Sequence, residues 1–129
     1  MQEIFVYVDR RGACPFLDWY GRLQKREQAK LDAKIDMLIA HGETLNPSVL
    51  SPTPVRCILE LCVTGGVTLR PMLCRGPVRP QEEYTLLCGA VERDRKYVPR
   101  AAAQMAGRYR DEVKADPNGR RRPYVQPPK

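Results

Sequence analysis

Apolar positions along this chain follow two periods, and each change of period marks an element. Glu3 to Val8 (EIFVYV) is short and rich in β-branched and aromatic side chains, which predicts a first strand. Asp9 to Ala13 holds Gly12 and two arginines and reads as a turn. Cys14-Pro15 then opens a helix, because proline's missing N–H is not needed at the first helical position. Phe16, Trp19, Tyr20 and Leu23 fall at i, i+3, i+4 and i+7 and form one apolar stripe, which assigns Trp19 and Tyr20 to the core. Gln24 to His41 repeats helical spacing at Leu31, Ile35, Leu38 and Ile39, with mixed charges on the opposite side. Gly42 is the stop, and His41 sits beside the helix dipole rather than in a catalytic setting.

Beyond residue 46 the period shortens. Asn46 to Pro54 holds three prolines and reads as a loop. Val55 to Val63 (VRCILELCV) predicts a strand, Thr64-Gly65-Gly66 a tight hairpin, and Val67 to Cys74 its partner. Pro71 cannot donate to a ladder, so a bulge, an edge or early termination is expected there. Arg75 to Gln81 is another loop, and Tyr84 to Val91 (YTLLCGAV) the last strand. After the charged stretch Glu92 to Tyr97, Val98-Pro99 opens a third helix reaching about Lys114, with Ala102, Met105, Tyr109 and Val113 on one face. The order β-α-α-β-β-β-α predicts an α+β domain. In it two N-terminal helices pack on a small, mainly antiparallel sheet with a C-terminal helix, and one sheet face stays open. Residues 1–114 form this domain; residues 115–129, with four prolines and Arg120-Arg121-Arg122, read as a flexible basic tail.

Composition adds a polarity to that outline. A chain of 129 residues fits one domain with a real core. No apolar run approaches the ~20 residues that span a bilayer, and the first ten residues lack a secretory pattern, so a cytoplasmic protein is expected. Residues 1–91 carry 11 Lys and Arg against 10 Asp and Glu, whereas residues 92–129 carry 11 against 5. Nearly all of the net +7 therefore lies in the last third, which suggests a polyanion such as RNA or the ribosome. Five cysteines without a C-x-x-C pair, and a single histidine, make a poor metal inventory. No metal or cofactor is expected. Cys57, Cys62, Cys74 and Cys88 lie in strand-like segments and read as small buried hydrophobes.

Four stretches resemble the RelE/HigB superfamily of bacterial toxin–antitoxin ribonucleases, closest to its phage-derived, HigB-like branch. They are Cys14-Pro15-Phe16-Leu17-Asp18, Ile58-Leu59-Glu60-Leu61, Val67-Thr68-Leu69-Arg70 with Met72-Leu73, and Leu86-Leu87-Cys88-Gly89-Ala90 running through Pro99 to Ala102. The resemblance spans about residues 3–113. It implies metal-independent cleavage of mRNA, on or off the ribosome, and neutralisation by a small antitoxin of helix-turn-helix type. That chemistry attacks phosphorus with the neighbouring 2′-hydroxyl, and needs a base, an acid and cations for the phosphorane charge. The resemblance implies catalytic places for Arg70 and Arg93 and RNA-binding places for Arg95, Lys96, Tyr97 and Arg100. The structural alternative for Arg70 is a strand residue that faces solvent or pairs with Glu60.

Three positions depart from the family's pattern. Cys62 stands where arginine is frequent, Cys88 where histidine is frequent, and Glu92 in place of the first lysine of a pair. Two further readings therefore stand beside the toxin: a catalytically degenerate relative that binds RNA, the ribosome or a protein, and an interaction protein of phage origin.

Overall fold

The computed structural model describes residues 1–126; Pro127, Pro128 and Lys129 lie outside it. Its elements are β1 (Glu3–Tyr7), α1 (Pro15–Gly21), α2 (Lys25–His41), a short 3-10 turn (Gly42–Thr44), β2 (Leu50–Pro52), β3 (Leu59–Leu61) and β4 (Thr68–Arg75). β5 (Glu83–Arg93), β6 (Lys96–Val98), α3 (Ala102–Ala115), α4 (Pro117–Arg120) and β7 (Arg121–Pro123) follow. This is the mixed helix-and-sheet class expected, with a sheet that is mostly antiparallel and runs β2-β3-β4-β5-β1-β7. β6 also pairs with β5, beyond the point where β1 leaves it.

The N-terminal pattern folds as it reads. Pro15 starts α1, and Phe16, Trp19 and Tyr20 are buried. Gln24 caps α2 with a reciprocal box: its backbone N–H donates to Glu27. Leu31, Ile35 and Leu38 are fully buried. Both helices press one face of the sheet over Ile4, Val6, Leu69, Leu73, Tyr84 and Leu86. The approach is close at Gly89, where a Cβ would lie 1.9 Å from the Trp19 ring, so only glycine fits.

The other face is not open. α3 lays Ala102, Ala106 and Val113 on Tyr7, Met72, Cys74, Leu87, Cys88 and Ala90 and builds a second core. Tyr109 stacks on Tyr7 at 4.4 Å, and the Tyr7 hydroxyl donates to Glu112 at 2.8 Å. Small residues at 102, 103 and 106 let the helix sit close to the strands. Pro71 does not end β4, which runs on to Arg75; the irregularity falls one residue later, where Leu87 is the extra residue of β5 opposite Met72 and Leu73. The expected strand at 55–63 shrinks to three residues. Continuing its register with β4 would set Val55 against Pro77, which has no N–H to give. Residues 53–58 turn instead, with Cys57 at φ 69° and exposed, contrary to the buried reading, and Cys62 half-buried.

The largest difference lies past residue 114. Arg121–Pro123 is not a separate tail but pairs antiparallel with β1. Tyr124 follows it into the first core, edge-on to Phe16 at 5.9 Å. Glu83 explains the arrangement. Its side chain is 0 % exposed and binds Arg121, with Arg79 Nε at 3.2 Å. The Arg121 guanidinium also lies 3.8 Å from the centre of the Phe5 ring. A buried carboxylate without such partners would be costly, so the final strand completes the fold electrostatically as well as by pairing.

Candidate functional site

Strand alternation gathers four side chains on the α3 face, beyond the end of that helix. Arg70 on β4 stands opposite Ala90, and Glu92 two residues further along β5 reaches across to it. Arg70 donates to Glu92 Oε1 from Nε at 3.0 Å and from Nη2 at 2.6 Å, and to Glu60 Oε1 from Nη1 at 3.4 Å. The hydroxyl of Tyr97, paired with Glu92 through β6, donates to Glu60 Oε2 at 2.8 Å. The result is one continuous chain: Tyr97, Glu60, Arg70, Glu92.

Its charge is one cation against two carboxylates. Burial works against the charge on Arg70, but the bond from Glu92 and the nearness of Glu60 outweigh it and hold its pKa above the ordinary value. Burial, then the bond to Glu60, pushes the Tyr97 hydroxyl up to about 12, so at neutral pH it is a fixed donor. Side-chain exposure is 19 % for Arg70 and 33 % for Glu92. Chemically, Glu92 is the accessible base, and Arg70 is a cation whose fork is already turned to carboxylates. A phosphate over Arg70 must displace Glu92 to gain that fork.

The hairpin beside this cluster is of another kind. Arg93 pairs with Lys96 across a two-residue turn, Asp94-Arg95, whose φ values are 51° and 63°. Both central residues at positive φ make the tight turn that matches strand twist. Arg93, Arg95, Lys96 and Arg100 are all exposed, and none of them makes an ion pair with a carboxylate among the described residues.

The site residues expected from sequence therefore separate. Arg70 and Tyr97 come together, but bound to Glu60 and Glu92. Arg93 shares the face of Val91, which packs into the first core, so alternation turns it away from Arg70. Arg95, Lys96 and Arg100 are presented to solvent on and just after the hairpin, and Tyr97, half-buried and tied to Glu60, is not a free stacking ring. Glu92 as a partner was missed: it lies 22 residues from Arg70, and only the β4–β5 register brings it there.

Among the described residues no group of three His, Cys, Asp or Glu side chains is placed to hold a metal, and no helix is long and apolar enough to cross a membrane. No family model, curated protein or solved structure matches the chain.

Proposed function

We propose that this chain is an RNA-binding protein of RelE/HigB-like type that holds the RNA backbone on the β5–β6 hairpin. One observation carries the reading. Arg95 occupies a left-handed position in a turn that favours glycine, at a cost of about 1 kcal/mol. Strain of that kind fits a side chain kept for its charge; Arg93 and Lys96 flank it and Arg100 follows the hairpin, none of them ion-paired with a carboxylate among the described residues. Such a row contacts phosphates rather than base edges, so it binds without strong sequence preference and releases counterions.

The test is the affinity for a short single-stranded RNA over a range of salt. Replacing Arg93, Arg95 and Lys96 together by alanine should weaken binding at least about tenfold at moderate salt and flatten its salt dependence. Binding that survives the triple change overturns the reading.

Cleavage of that RNA is a second reading, favoured by the half-exposed carboxylate of Glu92 against the Arg70 fork. In it Glu92 takes the 2′-hydroxyl proton, the 2′-oxygen bonds to phosphorus as the P–O5′ bond breaks to leave a 2′,3′-cyclic phosphate, and water protonates the departing 5′-oxygen, while Arg70 swings from carboxylate to phosphate and a small antitoxin covers the site. Growth inhibition on expression, and RNA cutting with and without ribosomes, decide it. Glu92→Gln should then abolish cutting at unchanged RNA affinity.

A further inference from the structure

At the end of the sheet away from the hairpin, a cleft of about 320 Å³ opens among Cys57, Leu59, Arg75, Pro77, Pro80 and Arg110. Three of its walls are apolar, and two opposed elements, the last residue of β4 and the middle of α3, each contribute a guanidinium. Arg110 is the anomaly. Its Nε is buried and has no hydrogen-bond partner among the described residues. Its nearest carboxylate is Asp111, 3.9 Å away with a side chain 78 % exposed. A buried donor of a charged group without an acceptor is costly and rare in folded proteins. Arg75 is held only by Glu43 at 2.7 Å, with both side chains in solvent, an arrangement that contributes little and yields to a better acceptor.

We propose that this cleft is a binding site for a small oxyanion, phosphate or carboxylate, that carries a flat apolar body. The anion takes the free donors of Arg110 and Arg75, and the body lies between Leu59, Pro77 and Pro80. The cleft differs from the hairpin in kind: it is walled and admits one small group, whereas the hairpin is an open row suited to a polymer. Arg110 also lies close enough to the buried Cys74 to oppose the rise that burial gives that thiol.

The experiment measures melting temperature at fixed ionic strength with phenyl phosphate, benzoate, inorganic phosphate and, as cationic control, benzylamine. Phenyl phosphate and benzoate should each raise it by about 5 °C at ten times Kd. Inorganic phosphate should act more weakly and benzylamine not at all. Arg110→Met should remove the aryl-anion shifts, and the triple hairpin variant should keep them. Alkylation of Cys57, the exposed thiol of the cleft, reads the same event without any substitution. Phenyl phosphate should slow it several-fold, and benzylamine should leave it unchanged. Equal shifts in Arg110→Met, a shift lost in the hairpin variant instead, or no protection of Cys57 overturns the site. The first and last outcomes leave the RNA-binding hairpin standing.

Discussion

Two parts of the same basic stretch, the β5–β6 hairpin and β7, put their arginines to opposite uses. Arg95 projects from a strained turn into solvent with no acidic partner, whereas Arg121 is inserted between a buried carboxylate and an aromatic ring. By composition they are equal shares of one excess of positive charge. The difference lies in the neighbouring strand: β1 and β5 bring Glu83 and Phe5 to Arg121, while no carboxylate among the described residues pairs with Arg95. Net charge counts cations but does not say which are available. Arg70 repeats the lesson, since an arginine singled out by resemblance is already occupied by two acids, Glu60 and Glu92.

The comparison breaks most visibly if the chain is ended at Arg120. That change removes β7, takes Tyr124 from the core and leaves Glu83 with Arg79 alone. Stability should fall by at least about 3 kcal/mol in urea denaturation. An unchanged midpoint would make Arg121 as dispensable to folding as Arg95. Next in size is Arg70→Met, which sets Glu60 against Glu92 and should cost about 2 kcal/mol. Adding Glu92→Gln should recover part of that loss, and an additive result would mean that the pair does not couple.

Arg95→Gly sharpens the contrast from the other side. It removes the charge and relieves the left-handed strain, so stability should rise by about 1 kcal/mol while RNA affinity falls for want of the cation. A destabilised Arg95→Gly protein would sink the strain argument. The smallest effect, near neutrality, comes from pH. Burial raises the Cys74 and Cys88 thiols from 9.0 to about 12, and burial with Glu60 raises Tyr97 from 10.0 to about 12. Each group is kept protonated by folding, so its contribution is complete below its unfolded pKa and is lost as pH rises toward its folded one. Melting temperature should slip slightly between pH 7 and 9 and fall steeply above. A flat profile to pH 11 would contradict the burial of these groups.

What was legible in the sequence was local. The stripes of α1 and α2, the helix start at Gln24 and the apolar runs of β4 and β5 are set by near neighbours. What was hidden depends on register. β7 carries a proline and two of three successive arginines, a composition that argues for solvent until Glu83 and β1 are known to lie beside it. β6 was hidden by Val98-Pro99, which resembles a helix start; the turn at Asp94 and Arg95 reverses the chain first. The second core was missed because Ala102, Ala103 and Ala106 are too small to announce a buried face. Arg93 was misplaced by one residue's worth of alternation, enough to move it across the ribbon from Arg70.

Pairing the first strand with the last also sets a timetable for synthesis. β1 leaves the ribosome first, yet its neighbours are β5, made after residue 83, and β7, which is not made until residue 121. Throughout translation β1 offers an unpaired edge, and Glu83 waits for one of its two cations. The native sheet closes only when the ribosome has moved well past residue 124. Until then the growing chain depends on its N-terminal helices to shelter the first core, and contacts this distant in sequence are slow to form.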